Sequence, residues 1–447
     1  MKTLARLAYS VGVGAALGIL LMSSASPTVE AQKVKVVWWT EPLQEVEREA
    51  IDRLFVKPFN QAHKDVELEV VWKEDLDRVL RTAMQAGAGP DIVQTPGPAY
   101  VVEYAQAGHL LPLDRYAARY GWKQKLFPWA YQVGEIDGKL YSLPLTYEFM
   151  VLFYNRTLFE RNGWKPPANR EELEQLATVM QKSGIIPFSH GNASWKGTNE
   201  WFVTVFYNHY AGPDAVYEAL SGKRRWDDSL FVQAMELLKS YVDSGWFGGG
   251  RERYYALDWD TIWGALGNGT AGMKMEGTWG FLHAPSYFQG TGNDWDWAPL
   301  PSLRAGVRPT YDIGIGSTVS INAKSAHPDA AAEVLDWLYN NPARAAQIIS
   351  EVRGEWVVPI AIAPHYFPSQ ADPRVVRALD AVAKASAAGD YGYTTWTFWP
   401  ARTEQYIIDG LEEVWNGKIT VLEYQRRQQE LFQEELKQGR RPPLPTR

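Results

Sequence analysis

The chain contains no cysteine, which excludes disulfides, thiolate zinc sites and thiol nucleophiles together. Its seven histidines (His63, His109, His190, His209, His283, His327 and His365) are dispersed. No His-Glu-x-x-His pair or calcium-loop pattern accompanies them, so no bound metal is expected. Also missing are a Gly-x-Ser-x-Gly elbow, a Gly-x-x-x-x-Gly-Lys-Ser/Thr loop and a Gly-x-Gly-x-x-Gly after the first strand. Gly314-Ile315-Gly316 is only a fragment of the last. No cofactor is therefore expected. Positive charge is in deficit, 45 Lys+Arg against 52 Asp+Glu for a net of −7. A phosphate backbone has no chain-wide attraction to such a protein, and nucleic acid is not an expected partner.

Long hydrophobic runs are scarce, with one exception. Lys2 and Arg6 precede an uncharged, mostly apolar run from Leu7 to Met22, followed by small and polar residues ending Val29-Glu30-Ala31-Gln32. That order is the order of a secretory signal. We expect a signal peptide over residues 1–31 with cleavage after Ala31; cleavage after Ala25 and an uncleaved N-terminal anchor are the alternatives. With no Cys after the run, a lipoprotein anchor is excluded. The expected location is exported, in the periplasm or extracytoplasmic space, and the expected state is monomeric.

What remains is long and aromatic. At 447 residues the chain predicts two or more lobes. Val34-Lys35-Val36-Val37-Trp38-Trp39 reads as a strand, and Val46, Ala50, Ile51, Leu54 and Phe55 fall at helical spacing. Val66 to Val70 alternates with period two, Leu76 to Ala86 reads as a helix, and Pro90-Asp91-Ile92-Val93 as a short buried strand. Strands separated by helices predict parallel α/β sheets, whose ligand crevices lie at the carboxyl ends of strands.

Aromatic residues make up 13% of the chain, and 20 of them are Trp. Several stand in polar or glycine-bearing segments: Trp38-Trp39-Thr40-Glu41, Trp195 and Trp201 around Asn199, Asp258-Trp259-Asp260, Glu276-Gly277-Thr278-Trp279, Arg353-Gly354-Glu355-Trp356, and Trp396-Thr397-Phe398-Trp399. An indole offers a wide stiff face and one N–H donor. A pyranose has the complementary makeup, C–H patches on its faces and hydroxyls at its rim. The bland alternative is that these rings fill cores and lobe interfaces. The acid pairs Asp75/Asp77, Asp258/Asp260 and Asp294/Asp296 read first as solvated or hydrogen-bonded carboxylates, because spacing alone does not set the separation that glycoside hydrolysis needs.

The ordered pieces VKVVWWTEP, GAGPDIV, EYAQAGHLLPLD, DGKLYSLPLTYEFMVLFYNRTLFERNGW, NGTAGMKMEGTWG, APLPSLRAG and IGSTVSINAKSAHPDAAAEVLDWL resemble the extracellular solute-binding proteins of ATP-driven importers. The likeness is to the family-1 carbohydrate binders, of maltose-binding-protein type. The resemblance implies an α/β fold of the two-lobed periplasmic binding class (class II type). Each lobe would be a mostly parallel sheet flanked by helices, the two joined by a three-crossover hinge. Crossovers are implied near 146–148, 299–302 and 349–354, giving lobe I as 32–147 plus 302–350 and lobe II as 148–301 plus 351–447.

Carried over position by position, Glu148 resembles a crossover carboxylate that accepts sugar hydroxyls. Trp201, with Trp195 and Asn199 beside it, Trp279 after Glu276, and Trp396 or Trp399 resemble aromatic contacts of lobe II. Trp39 and Glu41, Gln94 and Thr95, and Asp312 before the Gly314/Gly316 backbone would face them from lobe I. Arg353 reads either as a binder of hydroxyls or carboxylate or as a partner of Glu351 or Glu355; Trp356 follows it. Gln94-Thr95-Pro96-Gly97-Pro98 stands where maltose-binding protein has Trp and Asp, so sugar identity does not transfer. The implied partners are a carbohydrate ligand and the transmembrane subunits of an ABC permease, with no catalysis. The alternatives are a secreted glycoside-acting enzyme using Asp258, Asp260 or Glu276, and the same fold binding a polyol, polyamine or peptide.

Overall fold

The computed structural model describes residues 33–353 and 356–446; the signal segment expected over 1–31 lies outside them. The first sheet starts with β1 (Val34–Thr40), which buries Val36 and Trp38 and exposes Lys35, the period-two alternation of a strand. It pairs in parallel with β2 (Val66–Trp72), Val34 opposite Val66, and with β3 (Ile92–Thr95), Trp38 opposite Ile92. Between β1 and β2 the helix Glu45–Ile51 continues through a π turn, Asp52–Val56, into Lys57–Ala62, and buries Ile51, Phe55 and Phe59.

A small hairpin of β4 (Glu135–Ile136) and β5 (Lys139–Leu140) leads into β6 (Leu143–Phe149). One residue later, after Met150, β7 (Val151–Asn155) belongs to the second sheet. That sheet adds β8 (Ile186–Phe188), β9 (Ala271–Glu276) and β10 (Trp295–Ala298) in the order β10-β7-β9-β8. The chain then returns through β11 (Tyr311–Ile321), antiparallel to both β3 and β6, and β12 (Tyr391–Tyr393) lies parallel at its edge. Two α/β lobes with helices packed on their sheets are what the sequence predicts.

Strand sense departs from the mostly parallel expectation. Only β1, β2 and β3 form a continuous parallel set, while in the second sheet β9 is parallel to β8 and antiparallel to β7, which is itself antiparallel to β10. The physical reason is connectivity. A strand entering directly from the other lobe, as β7 and β11 do, has no preceding crossover helix in its own sheet to fix a parallel sense.

The cores claim most of the tryptophan. Trp38 stacks on Trp356 at 5.4 Å and 27°, with Phe55 edge-on to both. In the other core Trp399 lies 4.8 Å from Trp226. Burying such a ring removes roughly 150–250 Å² from water, a gross gain of about 4–6 kcal/mol, which is why so many indoles serve packing.

The lobe boundaries read from sequence stand as a proposal. Three observations bear on the last segment, 351–447. Tyr147 N–H donates to Val357 O and Phe127 N–H to Pro359 O, each at 2.8 Å; Trp356 packs beside β1; and β12 pairs with β11. Residues 356–360 and 391–393 are thus bonded to the first lobe. The helix Pro373–Ala387 turns Val375, Ala378 and Val382 into the core of the second.

Candidate functional site

Strand β9 is the foundation of the site. Lys274 and Glu276 are two residues apart and so point to the same face. Their side chains are wholly buried with Nζ and Oε2 2.5 Å apart. Burial pushes the Lys274 ammonium down and the Glu276 carboxyl up, each opposed by the attraction of its partner. The Lys274 Nζ lies 5.4 Å from the ring centre of Trp201 and 5.3 Å from that of Trp259, so a paired cation sits beneath two indoles.

After β9 the chain turns at Gly277, and the Trp279 ring folds back over it so that its indole N–H donates to Glu276 Oε1. A Cβ at Gly277 would stand 2.2 Å from that ring, so only glycine lets the indole lie on the backbone. The same device recurs at Gly197, where a Cβ would meet the Trp195 ring at 2.0 Å. Trp195 leads into the helix Thr198–Phe206, which carries Glu200 and Trp201.

Five indoles gather here. Trp201 lies 5.3 Å from Trp195, 5.1 Å from Trp279 and 6.4 Å from Trp259, and Trp279 is 6.0 Å and edge-on to Trp396. With Glu148, Glu200, Glu404, His283, Pro96 and Gly316 they line a cavity of about 420 Å³, a volume ordinary for small-molecule sites. Glu148, on β6 next to the passage into the second lobe, accepts the Trp396 indole N–H at 2.9 Å. It fits because Gly316 faces it; a Cβ there would be 2.0 Å from Glu148 Oε1.

Electrostatically the lining is acidic. Burial raises the Glu200 carboxyl to about 8 against a bond from Thr395 Oγ1 at 3.0 Å. Burial, then the Glu200 charge, raises Glu404 well above the ordinary carboxylate range. His283 is lowered to about 4 by burial and by Lys274, and is neutral at neutral pH. Across the described residues no group of three metal-binding side chains occurs.

Of the residues singled out in the sequence, Glu148, Trp195, Trp201, Trp279 and Trp396 line the cavity, and Glu276 holds Trp279 from behind. The others are placed elsewhere. Gln94 Oε1 accepts from Thr40 Oγ1 at 2.5 Å, and Thr95 Oγ1 bonds to Thr318 Oγ1 at 2.7 Å inside the first sheet. Asn199 donates to Ile408 O and accepts from the Tyr254 hydroxyl. The Asp312 carboxylate is buried 3.3 Å from His209 Nε2. Gly314 packs on Thr394, and Trp356 and Trp399 lie in the two cores.

Arg353 ends the helix Pro342–Val352 in a left-handed conformation, φ 52°, and Glu351, offered as its partner, pairs with Arg53. Trp39 carries Lys73 over its ring at 4.6 Å. Glu41 is half-buried, its carboxyl raised to about 7 by burial and then by Asp77. Trp39 is not among the indoles that line the cavity; these are Trp195, Trp201, Trp259 and Trp279 and, just after β12 of the first sheet, Trp396.

Sequence reasoning passed over Glu200, Trp259, His283, Glu404 and Pro96. Trp259 stood in a quoted cluster, and Glu200 lies between two selected residues. Glu404 enters from the helix Ala401–Trp415 with no local signal, because only helix packing brings it beside Glu200.

Residues 43–345 match the family model of the bacterial extracellular solute-binding proteins. An uncharacterized ABC transporter extracellular-binding protein of Pyrococcus horikoshii is 26% identical over 334 residues, 71% of this chain and 70% of that one. A probable sugar-binding periplasmic protein of Rhizobium meliloti is 27% identical over 277 residues, 58% of this chain and 61% of that one. Among solved structures, a chitin oligosaccharide binding protein superposes with a TM-score of 0.74 at 19% identity, covering 90% of this chain and 98% of that one.

Proposed function

From the premise that this chain belongs to the bacterial extracellular solute-binding family, we propose that it is the extracytoplasmic binding component of an ABC importer. It captures a mono- to oligosaccharide in the cleft between its lobes and delivers it to a membrane permease. The observation that carries the reading is the indole wall of Trp195, Trp201, Trp259, Trp279 and Trp396 beside Glu148, with the name of the Rhizobium meliloti relative in support.

In this reading an open molecule stacks the sugar on the second lobe, and hinge closure brings Pro96 and Gly316 over it. Binding energy realised only with both lobes engaged shifts the open–closed balance; moving it from 1:99 to 99:1 takes about 5.5 kcal/mol of differential affinity. The closed form is what the permease reads. In this reading translocation falls to the permease; among the described residues no helix is long and apolar enough to cross a membrane.

The enzymatic alternative loses its named acids to structural duties. Asp258 caps the helix Trp259–Asn268 through Thr261 N–H at 2.9 Å, Asp260 accepts from the Tyr287 hydroxyl, and Glu276 is paired with Lys274. A thermal-shift and Trp-fluorescence screen against a carbohydrate panel tests the proposal, since saturating ligand stabilises the fold by RT ln(1 + [L]/Kd). A saccharide that shifts both signals and is recovered unchanged by chromatography is the expected result; hydrolysed product, or no response to any saccharide, overturns it.

A further inference from the structure

We infer that the ligand of this cavity carries a protonated amine, as an amino sugar with a free ammonium group does, seated between the indole wall and the Glu200–Glu404 pair; this rests on the carbohydrate reading above and narrows it. The first argument is the inventory of charge. Three carboxyl groups line the cavity, from Glu148, Glu200 and Glu404, and no Lys or Arg does. Lys274 is sealed below Trp201 and Trp259 and neutralised by Glu276.

The second argument is the state of the acid pair. Glu200 is 4% exposed, yet it lines the cavity with its single hydrogen bond going to Oε2 from Thr395 Oγ1. Neither Glu200 nor Glu404 has an ion-pair partner among the described residues. Behind them Glu435 is occupied by Thr403 N–H and Oγ1, at 2.8 and 2.7 Å, and by Arg402 N–H. Two neighbouring carboxyls without a counter-ion disfavour each other's ionisation, and such an arrangement is relieved by a cation from outside.

The third argument is hydrogen-bond sense. The N–H groups of Trp279 and Trp396 are turned onto Glu276 and Glu148, so the polar offer of this wall is weighted toward acceptors. An ammonium has three donors and no acceptor, and indole faces attract it. A hydroxyl in the same place bonds to the two carboxyls but does nothing to favour their ionisation, whereas an ammonium does both.

The test is isothermal calorimetry on the full mature chain with matched pairs that exchange one hydroxyl for one amine: glucosamine against glucose, galactosamine against galactose, and the β-1,4 glucosamine dimer against cellobiose. Spermidine serves as a cation without a sugar. At least one amine member should bind ten-fold or more tighter than its neutral counterpart, with the advantage shrinking as salt is raised. Glu404→Gln, checked for folding by circular dichroism, should cut that advantage to below about three-fold. If no amine member outbinds its neutral counterpart, the inference is overturned, and neutral saccharides that still bind leave the transport reading standing. Spermidine binding with no response to any sugar supports the ammonium chemistry and sinks the carbohydrate reading. The wild-type pairs decide the matter even if the variant fails to fold.

Discussion

The lining of the cavity is uneven: Trp195, Trp201, Trp259 and Trp279 stand with Glu200 over the buried Lys274–Glu276 pair, whereas the strands of the first sheet bring Pro96 and Gly316, with Trp396 just after β12. Between them, Glu148 stands on the strand that runs into the crossing. The asymmetry teaches an order of events. In the proposed reading, a wall rich in stacking area holds ligand in the open state, whereas a wall of backbone and small residues gains contact only on closing. Affinity should then depend chiefly on the second lobe, and the closing step on how near the first lobe approaches.

Removing the central ring should show the largest effect. Trp279 touches Trp201 and Trp396 and supplies a donor to Glu276. Trp279→Ala is expected to weaken binding of the best sugar about 100-fold, or about 2.7 kcal/mol, the scale of an interfacial hot spot. Calorimetry reads it directly, and a loss within two-fold would remove the indole wall from the argument.

The opposite wall should respond less. In Gly316→Ala the new methyl occupies the place of Glu148 Oε1, forcing that carboxylate off the Trp396 N–H. We expect roughly ten-fold weaker binding, since a hydrogen bond to a charged group contributes about 1.5–3 kcal/mol. The compaction that the proposed closure predicts on ligand addition, read by small-angle scattering, should be reduced as well. Unchanged affinity and unchanged compaction together would mean that the first lobe does not approach the ligand here.

Smaller again is Trp195→Ala. This ring is 50% exposed at the rim, so about a three-fold loss of affinity is expected, with the unfolding temperature unmoved. A loss equal to that of Trp279→Ala would invert the ranking and place the ligand's centre at the rim.

Legibility differed between the two walls for a physical reason. The indole wall announces itself because Trp195 and Trp279 each lie on a glycine two residues away, a local arrangement that leaves Trp and Gly close in sequence. The α/β alternation was equally local, and β1 and β2 follow from their own residues. What eluded sequence reasoning was assembled from distant segments. Glu404 meets Glu200 only through helix packing, and Gly316 meets Glu148 across antiparallel strands far apart in the chain. Trp356 and Trp399 share the polar context of the cavity tryptophans, yet went to the cores because the gain from burying an indole is the same wherever a cavity of the right shape exists. Strand sense in the second sheet was hidden likewise, since it depends on where the chain enters from the other lobe.

A last comparison sets one acid from each lobe against the other. Glu200 is raised to about 8 and Glu41, after β1, to about 7, both chiefly by burial. Each therefore holds its proton in the folded state at a pH where the unfolded chain, with an ordinary value near 4.5, has lost it. Stability contributed by such a group is fully present below about pH 4.5 and declines as pH rises to the folded value, because the native state then binds more protons than the unfolded one. The decline should run to about pH 8 for Glu200 and stop near pH 7 for Glu41. Glutamine keeps the shape and cannot ionise, so Glu200→Gln should raise the ligand-free unfolding temperature at pH 8 by roughly 2–4 °C, the shift that about 1 kcal/mol gives a domain of this size class, and leave it unchanged at pH 4.5. Glu41→Gln, at a half-buried site with no Glu404 beside it, should give the smaller gain. Melting curves of the three proteins between pH 4.5 and 8 make the comparison. If Glu200→Gln keeps the parent's slope, the carboxyl is already ionised in the fold and the second lobe's wall carries its charge without strain.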